Sequence, residues 1–221
     1  MAVERALEAA SIRPERRGRQ RTAPLLEDER ELFLWILRRF ATTGGPSSAE
    51  TREVAARLGL DVERAFDTFA REDLVQLDGD GKIVVAYPFS GRPTAHRVRF
   101  PSGHEAYAMC AIDALGIAPM FAEPIEIASQ DPLSGDEIRA RVTPDADAES
   151  WPEGTVVVSG ALDRLADACS SCCPVLNFFA SSKNAERWLG EHSEVRGEVI
   201  SVQDAALAGR AVFGEVLAKR R

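Results

Sequence analysis

Near residue 73 the chain changes rhythm, and that change limits its possible folds more than any other feature. Before it, apolar residues recur at helical spacing. Leu32, Leu34, Trp35, Ile36, Leu37 and Phe40 suit a largely buried helix that starts from about Leu25 and stops at Gly44-Gly45-Pro46. Ser47 or Ser48 can cap a second helix, whose inward face is Val54, Ala55 and Leu58 and which Gly59 closes. Leu60-Asp61 opens a third, with Val62, Ala65, Phe66 and Phe69 at spacings of three and four. Two short strand-like runs, Leu74 to Leu77 and Lys82 to Tyr87, then flank a turn at Asp78 to Gly81. Three helices and a small hairpin predict a winged-helix-like unit over residues 25–90. A winged helix that reads DNA needs basic residues on its third helix. Here that helix, DVERAFDTFARED, is acidic, so a packing role is expected.

Beyond residue 90 strands and helices interleave. Ala95 to Phe100 alternates as a strand, and Ser102 or Gly103 leads into an expected helix, HEAYAMCAIDALGI, which Pro119 follows. Further strands are expected at Ile125 to Ala128, Glu137 to Val142, Thr155 to Ser159, Val175 to Phe179 and Glu198 to Val202. Helices are expected around Asn184 to Leu189 and from Asp204 to Leu217, the second started by Ser201-x-x-Asp204. No regular βαβ period runs through this half, so the fold class is α+β, with a mixed, mostly antiparallel sheet and helices over 91–221. Residues 1–24 read as a polar, basic arm with room for a short helix. Its Arg13, Arg16, Arg17, Arg19 and Arg21 read as a solvated tail.

No apolar run approaches the roughly 20 residues of a membrane span, and Glu4, Arg5 and Glu8 break any secretory signal in Met1 to Ala10. A cytoplasmic protein with no membrane contact is expected. A net charge of -8 argues against a nucleic-acid partner. In a reducing compartment the four cysteines are thiols, available for packing, metal binding or thiolate chemistry.

Two thiol sites stand out. In Cys110-Ala111-Ile112-Asp113, helical geometry would put thiol and carboxyl about 60° apart on nearly one face. The apolar neighbours Ala106, Met109, Ala114 and Leu115 would hold the acid's proton to higher pH, suiting it to general acid work. The plainer alternative is a buried cysteine beside an exposed aspartate. The second site is Cys169-Ser-Ser-Cys172-Cys173-Pro174. Four zinc ligands are hard to assemble from it, because His96, His104 and His192 are dispersed. Soft thiolates without hard partners suit Cu(I) or Hg(II) better. No phosphate loop, dinucleotide fingerprint or serine-hydrolase elbow is present.

With AYAMCAIDALGIAPM at 106–120, CCPVLNFFAS at 172–181, the Trp188 segment and VISVQDAALAGRAVFGEVL at 199–217, the chain resembles the bacterial organomercurial (alkylmercury) lyases. The resemblance implies cofactor-free protonolysis of a carbon–mercury bond, giving a hydrocarbon and Hg(II) in mercury detoxification. It implies that Cys110, Asp113 and a downstream cysteine act together. Counting back from Phe178-Phe179 selects Cys173, with Cys172 as the alternative mercury ligand. Product Hg(II) would pass to excess small thiol or to a mercuric reductase. Family members often carry one more, structural cysteine after the catalytic helix, and SQDPLSGDE at 129–137 has none, while Cys169 is an addition. Relatives of the fold include copper-binding proteins, so soft-metal (Cu(I)/Hg(II)) binding or trafficking, or a lyase repurposed to an organic metabolite, are the alternative functions.

Overall fold

The computed structural model describes residues 2–162 and 172–218. The N-terminal arm is folded. Helix α1 (Ala2–Ala9) is the short helix expected in it, whereas two short 3-10 turns, Pro14–Arg16 and Gly18–Thr22, occupy the basic run expected to be a solvated tail. Ala6, Leu7 and Ala10 supply the apolar face that the basic run obscured, each at most 2 % exposed, and Ser159 Oγ donates to the Ala6 carbonyl at 2.7 Å.

Helices α2 (Glu27–Thr43), α3 (Ser48–Arg57) and α4 (Val62–Arg71) follow at the expected places. Gly44 ends α2 in the left-handed conformation, at φ 81°. Ser47 caps α3 by accepting from Glu50 N, and Asp61 caps α4 by accepting from Arg64 N. Strands β1 (Val75–Leu77) and β2 (Ile83–Ala86) form the hairpin, and β3 (Phe89–Ser90) continues from it.

The expected helix at 104–117 is corrected at its start. Residues 105–108 are a strand, β5 (Glu105–Ala108), paired antiparallel with β4 (His96–Arg99), and α5 runs only over Ala111–Phe121. Glu-Ala-Tyr-Ala buries alternate residues, which suits a two-residue period and a hairpin partner rather than a helix face. Pro119 lies inside α5 rather than after it, so the last turn of the helix goes without that residue's N–H donor. The left-handed Ala122 closes the helix by donating to the Ala118 carbonyl.

Strands β6 (Ile125–Gln130), β7 (Glu137–Val142) and β8 (Ala148–Trp151) complete an eight-stranded sheet of order β1-β2-β3-β5-β4-β6-β7-β8. A smaller sheet has β9 (Val156–Leu162) between β10 (Phe178–Phe179) and β11 (Val195–Ser201). All the strand pairs described are antiparallel. The expected strand at 175–179 shortens to Phe178–Phe179, because Val175 N and Leu176 N both donate to the Cys172 carbonyl and close a turn there. Helix α6 (Ser182–Glu191) precedes β11, and α7 (Val202–Phe213) follows it, capped by Ser201. The fold is α+β, with mostly antiparallel pairing.

Two helices, α5 and α7, meet at unusually short range. A Cβ on Gly209 would lie 2.7 Å from Gly116 N, and one on Gly116 would lie 2.5 Å from a Phe213 ring carbon. This approach locks α5 against α7 and so fixes the start of α5, which carries Asp113. Asp131 ties down the 129–137 segment. Only 1 % exposed, it accepts from Leu133 N, Ser134 N, Ala180 N and Asn184 Nδ2, which binds this loop to the start of α6.

Candidate active site

Three backbone segments converge on one buried spot. Cys110 is not on the helix beside Asp113 but is the residue that caps it. Its backbone is extended, at φ -154° and ψ 179°, and its Sγ accepts from Asp113 N at 3.4 Å. A sulfur at this position faces the positive end of the α5 dipole, which favours a thiolate. The second segment is the turn 172–176. Leu176 accepts from Ala111 N at 2.8 Å, which pins this turn to the Cys110 cap. The third is the end of β2, where Tyr87 N donates to the Leu74 carbonyl and Met109 N donates to the Pro88 carbonyl.

These contacts bring Cys110, Asp113 and Cys173 together, with Sγ, Sγ and a carboxylate oxygen all within 4.8 Å of one another. The Cys173 thiol donates to Asp113 Oδ2 across 3.8 Å. All three residues are buried. Cys172 is also buried, beside Cys173 and on the same cavity wall. Cys169 lies outside the described residues.

Electrostatics leave the site holding protons at rest. Burial pushes the Cys110 thiol up to about 12. Cys173 is raised well above its ordinary value, first by its hydrogen bond with Cys110 and then by burial, and Cys172 is raised by its hydrogen bond with Cys173 and by burial. Burial also raises the Asp113 carboxyl, to about 7, against the downward pull of Cys110, Arg21 and Cys173. At neutral pH the carboxyl is poised between acid and base, while the thiols keep their protons until something softer displaces them.

Sequence reasoning missed two residues here. Arg21, expected in solvent, is 6 % exposed, with its guanidinium 5.1 Å from the Tyr87 ring centre and 5.3 Å from that of Phe213. It donates to the Arg16 and Asp73 carbonyls, and Asp113 lies in its field. A one-dimensional charge run gives no sign that one of its arginines turns inward. Tyr87 has its hydroxyl 3.7 Å from Cys173 Sγ, and nothing in a strand-end tyrosine signals that contact. The cavity over the thiols has a volume of about 480 Å³, and the arm supplies much of its wall, including Ile12, Arg16 and Arg21.

The alkylmercury lyase family model matches residues 89–214, more than half of the chain. The chain belongs to the alkylmercury lyase family. An alkylmercury lyase of Staphylococcus epidermidis is 32% identical over 179 residues, covering 80% of each chain. One from Bacillus cereus is 30% identical over 181 residues, covering 81% of each. The fold is similar to the crystal structure of the mercury-bound form of MerB2, with TM-score 0.71 and 19% identity over 97% of this chain and 98% of that one. The family match spans the Cys110 cap, Asp113 and the 172–176 turn, whereas the arm that supplies Arg21 lies before its first residue.

The raised Asp113 has a consequence for stability. Its folded value near 7 exceeds its unfolded 3.8, so the folded state binds the proton more tightly. Stability from this group is full below about pH 4 and is lost as pH rises through about 7, to a limit near 4 kcal/mol. Asp113→Asn mimics the neutral acid. It should melt higher than the wild type near pH 8, by several degrees, and almost with it near pH 4, as measured by thermal unfolding across that range.

Proposed function

We propose that this chain cleaves carbon–mercury bonds by protonolysis, with Cys110, Cys173 and Asp113 acting together on one mercury atom. The observation that carries the reading is the grouping of two buried sulfurs and one carboxylate oxygen within 4.8 Å. Mercury is soft, and two thiolates at that separation can grip it, whereas a hard cation would want more oxygen ligands.

An organomercurial R–Hg–X exchanges X for the Cys110 sulfur, and X leaves with the thiol proton. Cys173 then adds to mercury while its proton moves to Asp113 Oδ2, the acceptor it already faces. Two thiolates raise electron density on the mercury-bound carbon, and the carbon–mercury bond breaks as that carbon takes the proton from Asp113. The products are R–H and Hg(II) held by two thiolates, with Asp113 ionised again. Small thiol in excess, or a mercuric reductase, removes the Hg(II) and returns protons to the cysteines. Cys172 stands beside this pair as a further sulfur for mercury in transit.

Residues 25–90 act in this reading as a winged-helix-like packing unit rather than a nucleic-acid reader, and residues 91–221 carry the chemistry. Their sheet is continuous through the pairing of β3 with β5, which ties Tyr87 to the thiols. No described helix is long and apolar enough to cross a membrane. A cytoplasmic site of action, where small thiols are abundant, fits the need for an Hg(II) acceptor.

The test is headspace gas chromatography with phenylmercury or methylmercury and excess thiol. The expected result is catalytic release of benzene or methane. Tight Hg(II) or Cu(I) binding with no hydrocarbon would replace the enzyme by a soft-metal carrier.

A further inference from the structure

Cys172 and Cys173 are adjacent, both buried and both on the cavity wall, so a device is needed to decide which sulfur faces Asp113. Tyr87 is placed to be that device. Its ring is 2 % exposed and lies beneath the Arg21 guanidinium, and its backbone N–H is held by the Leu74 carbonyl. The neighbouring Pro88 carbonyl is held by Met109 N, directly before the Cys110 cap. The hydroxyl therefore has little freedom, and it lies 3.7 Å from Cys173 Sγ. Cys173 in turn lies 3.8 Å from Asp113 Oδ2. With the phenol as donor, these two contacts share one direction: Tyr87 O–H to sulfur, sulfur S–H to carboxylate.

We propose that Tyr87 is a positioning residue for the cleavage reaction: its hydroxyl holds the Cys173 sulfur toward Asp113 and so selects Cys173 over Cys172 as the second mercury-binding thiol. The hydroxyl gives no proton away in this role. Burial holds the phenol's own proton far more tightly than in water, which keeps it a donor. As Cys173 passes its proton to Asp113, the hydrogen bond to a sulfur gaining negative charge strengthens, so its effect falls on the cleavage step. The proposal rests on the reaction above, and its test separates the two.

The variant is Tyr87→Phe, which keeps the ring under Arg21 and removes one oxygen. In single-turnover reactions with phenylmercury the cleavage rate should fall about tenfold or more, the usual effect of losing a hydrogen bond to a charged group. Phenylmercury affinity should stay within about threefold, since Cys110 makes the first bond. Thermal stability should change little. A second measurement needs no turnover: a substoichiometric aromatic disulfide is reacted with the native protein, quenched in acid and mapped by mass spectrometry. Wild type should be modified at Cys173 ahead of Cys172, and Tyr87→Phe should lose that order. A Tyr87→Phe protein that cleaves at the wild-type rate, or an unchanged labelling order, overturns the proposal while leaving the reaction standing. A wild type that releases no benzene overturns the reaction, and the labelling order then still decides whether Tyr87 distinguishes the two sulfurs.

Discussion

Cys110→Ser and Cys173→Ser should each lose at least about a thousandfold in hydrocarbon release, because in the proposed reaction each removes one of two sulfurs that act on mercury as a unit. A serine oxygen is hard and keeps its proton, so it neither holds mercury nor raises electron density on its carbon. The Cys110 variant separates chemistry from folding with particular clarity. Cys110 occupies the cap of α5 and accepts from Asp113 N through its sulfur. Serine is among the best residues at such a position, so Cys110→Ser should fold and melt at least as high as the wild type while being inactive. In Cys173→Ser the hydroxyl can still bond Tyr87 and Asp113, so that protein should fold too. Cys172→Ser, assayed beside them, should lose less than about tenfold. An equal collapse of Cys172→Ser and an active Cys173→Ser would move the second thiolate one residue back.

Asp113→Ala should lower the cleavage rate by about a hundredfold to ten-thousandfold, the range expected when a positioned acid–base group is removed. Mercury binding should survive, since both sulfurs remain. The pH profile carries the more specific signature. With its value raised by burial to about 7, Asp113 is protonated in mildly acidic solution and cannot accept the Cys173 proton. The rate should therefore climb as pH rises through about 7 and level off once the carboxylate is ionised. Asp113→Ala should show no such limb. A wild-type profile that is flat between about pH 5.5 and pH 8.5 would remove Asp113 from the proton path.

Much of this molecule can be read from its sequence, and the failures have two causes. Helices α2 to α4, the β1–β2 hairpin, β6, β7, α6 and α7 follow local periodicity and capping, both of which sit in contiguous residues. The stretch 104–117 misleads because its apolar residues are dense enough to suit either period. Only the pairing of β5 with β4 decides it. That decision moves Cys110 from a helix face to a helix cap and changes the reason the thiol and the carboxyl meet. The spacing of three remains significant, since in a cap it is the third residue whose N–H returns to the capping atom.

Arg21 and Tyr87 were illegible for a different reason. Each joins the site through a contact between segments far apart in the chain, from Arg21 to Phe213 and from Tyr87 to Cys173. A basic run looks the same whether its last arginine is solvated or buried. Asp131 is hidden in the same way: the sequence shows a polar segment at 129–137, whereas the fold shows a buried carboxylate taking four hydrogen bonds, two from its own loop, one from Ala180 and one from Asn184 in α6.

The central claim is that two thiolates keep the mercury while one carboxyl gives its proton to carbon. It is tested most directly by a single turnover without added thiol, in which purified reduced protein is mixed with one equivalent of phenylmercury. Benzene, protein-bound mercury after gel filtration, and remaining titratable thiols are then counted together. One benzene per chain is expected, with the mercury retained on the protein as Hg(II) and two fewer free thiols than before. Phenylmercury recovered intact on the protein with no benzene, or benzene released with the full complement of thiols still free, would contradict it.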